Sequence, residues 1–413
     1  MSNFLGDKAH TTEGRLQAQA VERVEQPCAR PLAGVRVLLV TSGHEATDAR
    51  IYAKQAYSLQ NFGANVTVVG KLEHGIYGGA VEVIAMRKPT SRLVRFLWQP
   101  WRCLWAVRHR HADIIHVHDA EMLVTLPLAK LWWSGCKFVY DVHEDFANLL
   151  LIRDWLPTWV KPPVRTLTDI IEKTLALFAD AVVGVTGPLA EKFWNRQKVV
   201  VHNYVSQEFF DLARKVSRPP QQREFDVVHL GTLSSDRAIF LADTIAEFHR
   251  LYPGARSLVV GVSPDIEKIM RPRIPEHCVL FGRKVYREVP ELLSRSRVGL
   301  DIHPLLAPHL EVALPVKVVE YMAAGCAVVT SAMPVLTRIL TDARIDPDSI
   351  TVIESGRPHD YAKAILRWIE IIQEGADPGA KLREAALRCM TWEGEATRLV
   401  KLYLQLLNKP CVI

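Results

Sequence analysis

Three short segments place histidines and carboxylates just where apolar runs end. VRVLLVTS passes into TSGHEATDAR (41–50), which holds Gly43, His44 and Asp48; DIIHVHD ends in His116, His118 and Asp119; KFVYDVHE ends in Asp141, His143 and Glu144. Imidazoles and carboxylates gathered at one edge can move protons, hold hydroxyls or stabilise developing charge. One such histidine is an ordinary hydrogen-bonded side chain, but three strand ends carrying the same chemistry point to a site. A second group lies further along. GTLSSDRA (231–238) offers Gly231, Thr232 and Arg237, a small polar turn whose N–H groups beside an arginine suit a diphosphate; a solvated surface arginine is the plain alternative. In LPVKVVEYMAAGCAVVTS (314–331), Pro315 predicts a helix start and Gly325 its end. Glu320 on that helix can accept hydrogen bonds from paired hydroxyls such as those of a ribose, or simply complement the positive end of the helix dipole.

Those residues need elements to position them. From Val35, seven β-branched runs (VRVLLVTS, NVTVVG, VEVIAM, DIIHVHD, KFVYDVHE, AVVGVT, KVVVHN) alternate with helix-length segments. After the polar stretch KVSRPPQQRE come six more: FDVVHLG, RSLVVGV, CVLFGR, RVGLDIHP, AVVTS and ITVIES. Unbroken apolar runs of this kind predict buried parallel strands, and their alternation with helices predicts an α/β fold of two Rossmann-like, doubly wound domains facing across a cleft. Ligands bind such sheets beyond the carboxyl ends of the strands, which is where the polar residues fall. The expected divisions are an N-terminal extension (1–33), a first domain (34–214), a linker (215–224), a second domain (225–390) and a terminal helix (391–413).

At 413 residues the chain exceeds what one core usually supports, so two domains agree with the length. Apolar residues make up 49% and charged residues 23%, which excludes a largely disordered chain. A net charge of +6 favours anionic partners without being a nucleic-acid signature. Seven widely spaced cysteines without a CxxC pair suggest neither a disulfide framework nor a zinc site, and a reducing, cytoplasmic compartment is expected. Residues 1–33 lack the apolar core of a signal peptide, and no membrane-spanning run is expected.

The segments 44–70, DIIHVHDAEML, VYDVHEDF, HLGTLSSDRA, VLFGRKVYREVPELLSRSRVGLDIHP and ALPVKVVEYMAAGCAVVTS, in this order and spacing, resemble retaining GT-B glycosyltransferases of glycosyltransferase family 4, especially bacterial members that build cell-surface polysaccharides. The similarity runs from about residue 35 to residue 408, and TWEGEATRLVKLYLQLL resembles the helix that returns to brace the first lobe. The resemblance implies a UDP- or GDP-sugar donor, a lipid-linked or oligosaccharide acceptor, retention of configuration, and no metal or cofactor. It implies that Glu320 binds the donor ribose with Tyr321 beside it, that Arg237 and Lys317 face the diphosphate, that His118 lies by sugar and acceptor, and that His143, His44, Gly43 and Asp48 line the cleft. Gly231 belongs to the donor turn. The chain departs from the family at two donor positions: Val312 stands eight residues before Glu320 where many members carry a carboxylate, and Thr232 stands where many carry a base. Arg283, after Gly282, is a substitute charge.

Residues 88–111 carry Arg92, Arg95, Arg102, Arg108 and Arg110 with Trp98, Trp101 and Trp105, and no acid. Such a stretch suits peripheral contact with an anionic membrane, on the inner face for a cytoplasmic protein; an amphipathic helix packed on its sheet with a wet basic face is the alternative. Two further readings of the whole stay open, a nucleotide-sugar-binding partner subunit of weak activity and a sugar-nucleotide epimerase. An NAD-dependent oxidoreductase is disfavoured because no GxGxxG follows either first strand, and a zinc peptidase because His143-Glu144 lacks the second ligand of HExxH.

Overall fold

The computed structural model describes residues 30–72, 81–153, 155–303, 307–354 and 356–411, without the side chains of 92 and 93. The first 29 residues of the expected extension, and the Arg92 side chain, lie outside them. All thirteen apolar runs are strands in two all-parallel sheets. The first sheet has the order β3-β2-β1-β4-β5-β6-β7. Its strands are β1 (Arg36–Glu45), β2 (Asn65–Lys71), β3 (Glu82–Met86), β4 (Ile114–Val117), β5 (Lys137–Val142), β6 (Ala181–Gly184) and β7 (Lys198–Val200). The second sheet has the order β10-β9-β8-β11-β12-β13. Its strands are β8 (Phe225–Leu230), β9 (Ser257–Val260), β10 (Cys278–Phe281), β11 (Ser296–Asp301), β12 (Ala327–Ser331) and β13 (Ile350–Ile353). In both sheets the chain starts in the middle, winds to one edge and returns to wind the other way, which leaves a crevice at the reversal, between β1 and β4 and between β8 and β11.

Helices cover both faces of the first sheet. On one face lie Gln99–Val107, Leu126–Trp132 and Lys161–Ala176, contributing Leu104, Val107, Leu126, Ala129 and Ala176 to one core. On the other face, Ile51, Ala56 and Leu59 share a core with Trp392, Leu399, Val400 and Tyr403 of the helix Trp392–Leu406, so the end of the chain packs in the lobe where the chain began. The Trp392 indole donates to Ser58 Oγ at 2.8 Å.

Packing moves the lobe boundary earlier than the expected 214. Tyr204, Val205, Phe209, Phe210 and Ala213 belong to a second-lobe core. The stretch 215–224 is no open linker either: the buried Arg223 guanidinium donates to the carbonyls of Ser296 and Gly325 at 2.9 and 2.7 Å. The two crossings between lobes run side by side, where Val205 bridges Thr391 and the Trp392 N–H donates to the Val205 carbonyl at 2.8 Å. Of residues 30–33, Leu32 is fully buried in the first lobe.

Candidate active site

At the end of β1 the chain turns through Thr41–His44 and is held by one carboxylate. Asp119, after β4, accepts from the Thr41 hydroxyl at 2.5 Å and from the N–H groups of Ser42 and Gly43 at 2.8 and 3.0 Å. Its other oxygen lies 2.9 Å from His44 Nδ1. Burial opposes charge on both partners, but their attraction wins: Asp119 is held well below the usual carboxylate range and His44 is raised to about 9. Gly43 has no room for a side chain, because a Cβ there would run into Arg95 and Asp119. Asp48, expected to line the cleft, accepts from the N–H groups of Arg50 and Ile51 at 2.8 and 3.3 Å and caps the wide helix Ala49–Ala56.

Beneath this loop sits a buried ionic network. Asp141, fully buried at the end of β5, receives Arg50 Nε and Nη2 at 3.2 and 3.0 Å and the Gln55 amide. Burial pushes its carboxyl up, yet Arg50 and His143 pull it well below the ordinary range. Three imidazoles surround it: His116 and His143 lie 3.7 Å from Oδ2 and His118 lies 3.6 Å from it. His118 Nδ1 and His143 Nε2 are 3.2 Å apart, and His116 Nδ1 lies 2.7 Å from the Tyr403 hydroxyl of the returning helix. Burial lowers His116 and His118, so both are neutral near neutral pH. The ligand atoms of His116, His118 and Asp141 lie within 4.8 Å of one another, a spacing compatible with a shared metal ion. A cation there would have to share Asp141 with the Arg50 guanidinium, which disfavours it. Asp141 was among the strand-end residues read from the sequence, but Arg50 and Tyr403 were missed; the i, i+4 spacing of Arg50 and Lys54 on the buried helix face was the available signal for the first.

The second lobe builds its edge largely from backbone. Gly231, after β8, has φ +115 and Gly261, after β9, has φ +99, conformations that side chains rarely adopt. A Cβ on Gly261 would strike the Gly231 backbone, and one on Gly231 would lie 3.7 Å from Lys317 Nζ, so the turn faces the lysine closely. Lys317 pairs with the buried Asp301 at 3.1 Å, and His303 Nε2 lies 3.3 Å from the same carboxylate. Burial lowers Lys317 and Asp301 partly restores it; for Asp301, burial is outweighed by Lys317, His303 and Arg237. Arg237 Nε donates to the Ile302 carbonyl at 3.2 Å, while its Nη2 is buried without a partner in the protein, as is His118 Nε2. At a strand-end crevice such groups are free to take a hydrogen-bonding partner from outside the chain.

Glu320 is the fifth residue of the helix Val316–Ala323, past the first turn, so the dipole explanation does not account for it. Burial raises its carboxyl, with Lys54 of the first lobe and Lys317 opposing. Lys54 itself is buried, donates to Asn203 Oδ1 at 2.7 Å, and is lowered by burial to about 8. Thr232 and Arg283 are exposed at the same strand-end edge. Two expected donor contacts are turned elsewhere. Tyr321 is fully buried, its hydroxyl accepting from Leu230 N–H at 2.8 Å and donating to the Leu300 carbonyl at 3.1 Å, so it props β8 against β11 from beneath. Val312 packs against a first-lobe core and its carbonyl accepts from the Thr186 hydroxyl at 2.7 Å, which makes it a contact between lobes.

The family model for Glycosyltransferase Family 4 matches residues 33–209, and that for Glycosyl transferases group 1 matches residues 224–370. No curated protein matches the chain. Among solved structures, sucrose-phosphate synthase from Thermosynechococcus elongatus is similar with TM-score 0.65 at 16% identity, over 91% of this chain and 99% of that one. The HepE protein of Anabaena, in complex with UDP and glucose, gives TM-score 0.65 at 15% identity, over 89% and 98%. A trehalose 6-phosphate synthase from Burkholderia multivorans gives 0.63 at 12%, over 91% and 99%. At such identities these likenesses speak for the fold, the two facing Rossmann-like domains known as GT-B. The family models make the chain a glycosyltransferase, with a Glycosyltransferase Family 4 match over residues 33–209 followed by a Glycosyl transferases group 1 match over residues 224–370.

Proposed function

We propose that the enzyme transfers the sugar of a UDP- or GDP-sugar to a lipid-linked or polysaccharide acceptor in surface-glycan assembly, with retention of anomeric configuration and without a metal ion. The observation that carries this reading is the Gly231 turn facing Lys317, with Arg237 nearby holding a buried Nη2 that has no partner in the protein. Departure of a nucleoside diphosphate builds negative charge on the leaving oxygens, and two fixed cations beside the glycine turn stabilise that charge. Glu320 takes the ribose hydroxyls. The acceptor hydroxyl lies by His118 and His143, and the leaving diphosphate accepts its proton on the face that the new bond forms. HepE, whose structure contains UDP and glucose, supports a UDP-sugar as the first donor to test.

Contact with an anionic membrane through 88–111 is part of the reading. Helix Gln99–Val107 buries Cys103, Leu104 and Val107 on the sheet and leaves Trp105 outward, its ring 4.3 Å from the Arg108 guanidinium and 5.9 Å from Trp132. Arg95 and Arg110, by contrast, are engaged by Glu121 and Glu82. The buried side of this helix fits the sheet-packed alternative, and the outward Trp105 and Arg108 support the membrane reading. Among the described residues, no helix is long and apolar enough to cross a membrane.

Calorimetry of UDP, GDP and ADP in chelator tests the donor half. One nucleoside diphosphate should bind, and Glu320→Ala should weaken it by roughly 1 to 3 kcal/mol, the value of a charge-assisted hydrogen bond. Binding that ignores Glu320, or no binding by any of them, would overturn the donor assignment.

A further inference from the structure

An apolar groove opens beside the first-lobe pocket. Its walls are Phe96, on the helix Arg92–Leu97, and Phe146, Leu150, Ile152 and Trp155 from the segment after β5. Phe96 and Phe146 face each other with ring centroids 6.0 Å apart. Arg95, Phe146 and Arg153 line both this groove and the pocket that contains His44, His118 and His143, so the two spaces share a wall. Arg95 is held in place: its Nε donates to Glu121 at 2.8 Å, and its Nη2 fills the space a side chain on Gly43 would need. Ile152 and Trp155 are 46% and 51% exposed.

We propose that the groove is the subsite for the apolar chain of a lipid-phosphate acceptor, its anionic linkage held by Arg95 and Arg153 and its terminal hydroxyl presented to His118 and His143. This rests on the reading of the first lobe as the acceptor side. An apolar wall alone would take any apolar group. Here the apolar wall, Arg95 and Arg153, and the imidazoles line two adjoining spaces, the second of which Asp119, Glu121 and Glu144 also line, and that combination matches an amphiphile with tail, phosphate and hydroxyl. Guanidinium groups engage phosphate oxygens through paired, charge-assisted hydrogen bonds, which an uncharged alcohol does not offer. Each methylene group buried in an apolar groove is removed from water, so a chain of modest length gains affinity from it. Beyond Trp155 the surface stays apolar: Trp159 is 81% exposed, and Leu167, Ile170 and Ile171 lie on the outward side of the helix Lys161–Ala176. A chain longer than the groove therefore continues along a surface that a bilayer suits.

The probe is decyl phosphate below its micelle concentration, measured by calorimetry against inorganic phosphate and decanol. Wild type should bind decyl phosphate well above either control. Ile152→Glu and Arg153→Ala replace exposed side chains, and each should weaken decyl phosphate roughly tenfold or more while nucleoside diphosphate affinity stays unchanged. Equal binding of inorganic phosphate or decanol, or indifference to both variants, overturns the subsite. Binding of decyl phosphate that responds to both variants, in a protein that binds no nucleoside diphosphate, upholds the groove and refutes the donor reading alone.

Discussion

The two lobes wind their sheets alike, yet they make the carboxyl edge from different material. The first lobe relies on side chains, with Asp119 and Asp141 buried and His44, His116, His118 and His143 arranged around them. The second relies on backbone at Gly231 and Gly261, with Lys317, Asp301 and Arg237 as its ionic part. Their outer surfaces differ as well. Second-lobe helices carry ion pairs such as Arg250–Glu247 and Arg271–Glu267. First-lobe helices expose Trp105, Leu131, Trp132, Leu167 and Ile170, and of the large apolar side chains that the described residues expose, only Val216, Val285 and Leu387 come from beyond residue 194. Leu128, Leu131 and Trp132 are exposed on a helix of the same sheet face as Trp105 and Leu167, and the Trp105 and Trp132 rings lie 5.9 Å apart. One topology thus serves two purposes: a backbone turn with cations suits a small anion, while a preassembled imidazole network behind an apolar surface suits a partner that is polar at one end only.

The comparison can be broken most directly at Arg50. Arg50→Met leaves the Asp141 carboxylate buried without its guanidinium, and unfolding by denaturant should show a loss of about 3–5 kcal/mol. A loss below about 1 kcal/mol would mean that the imidazole network does not depend on this ion pair. In the other lobe, Lys317→Ala should lower kcat/KM for transfer about 10²- to 10³-fold, the usual cost of removing one group that stabilises developing charge. Near-normal turnover would move that task to Arg237 or Arg283. The outer surfaces are tested by Leu167→Glu together with Ile170→Glu. Co-sedimentation with anionic vesicles should fall by about tenfold or more, whereas the same exchange at Val216 and Leu387 should leave it unchanged.

The smallest effect concerns His44. Its value is raised to about 9, so its pairing with Asp119 stabilises the fold fully below the ordinary 6.5 and loses that contribution as pH rises through about 9. The difference in thermal stability between wild type and His44→Gln should accordingly be present in acid and vanish in mild alkali. A difference that persists above pH 9 would show that the loop is held by the Thr41, Ser42 and Gly43 bonds to Asp119 and not by the ion pair.

Much of the site was legible because strand ends are legible. His118, His143 and His44 stand out as the polar residues at which an apolar run stops, Gly43 as the small residue among them, and Lys317 and Glu320 as members of a helix that follows Pro315. Tyr321 failed because adjacency along a helix puts neighbours about 100° apart, so the residue after Glu320 faces the sheet. Val312 failed because its environment is set by another lobe. Arg50 and Tyr403 escaped notice for a related reason: Asp141 lies 91 residues from the first, and His116 lies 287 residues from the second.

By itself, the sequence determined the thirteen strands, their parallel winding and the edge at which polar residues gather, because each depends on local apolar runs and on handedness that chain chirality imposes. Only the tertiary structure decided that residues 204–213 belong with the second lobe, that the last helix supplies Tyr403 to the imidazole network, and that a groove adjoins the pocket. Burial, ion pairing and shared walls are properties of groups far apart in sequence, and no local pattern encodes which of them will meet.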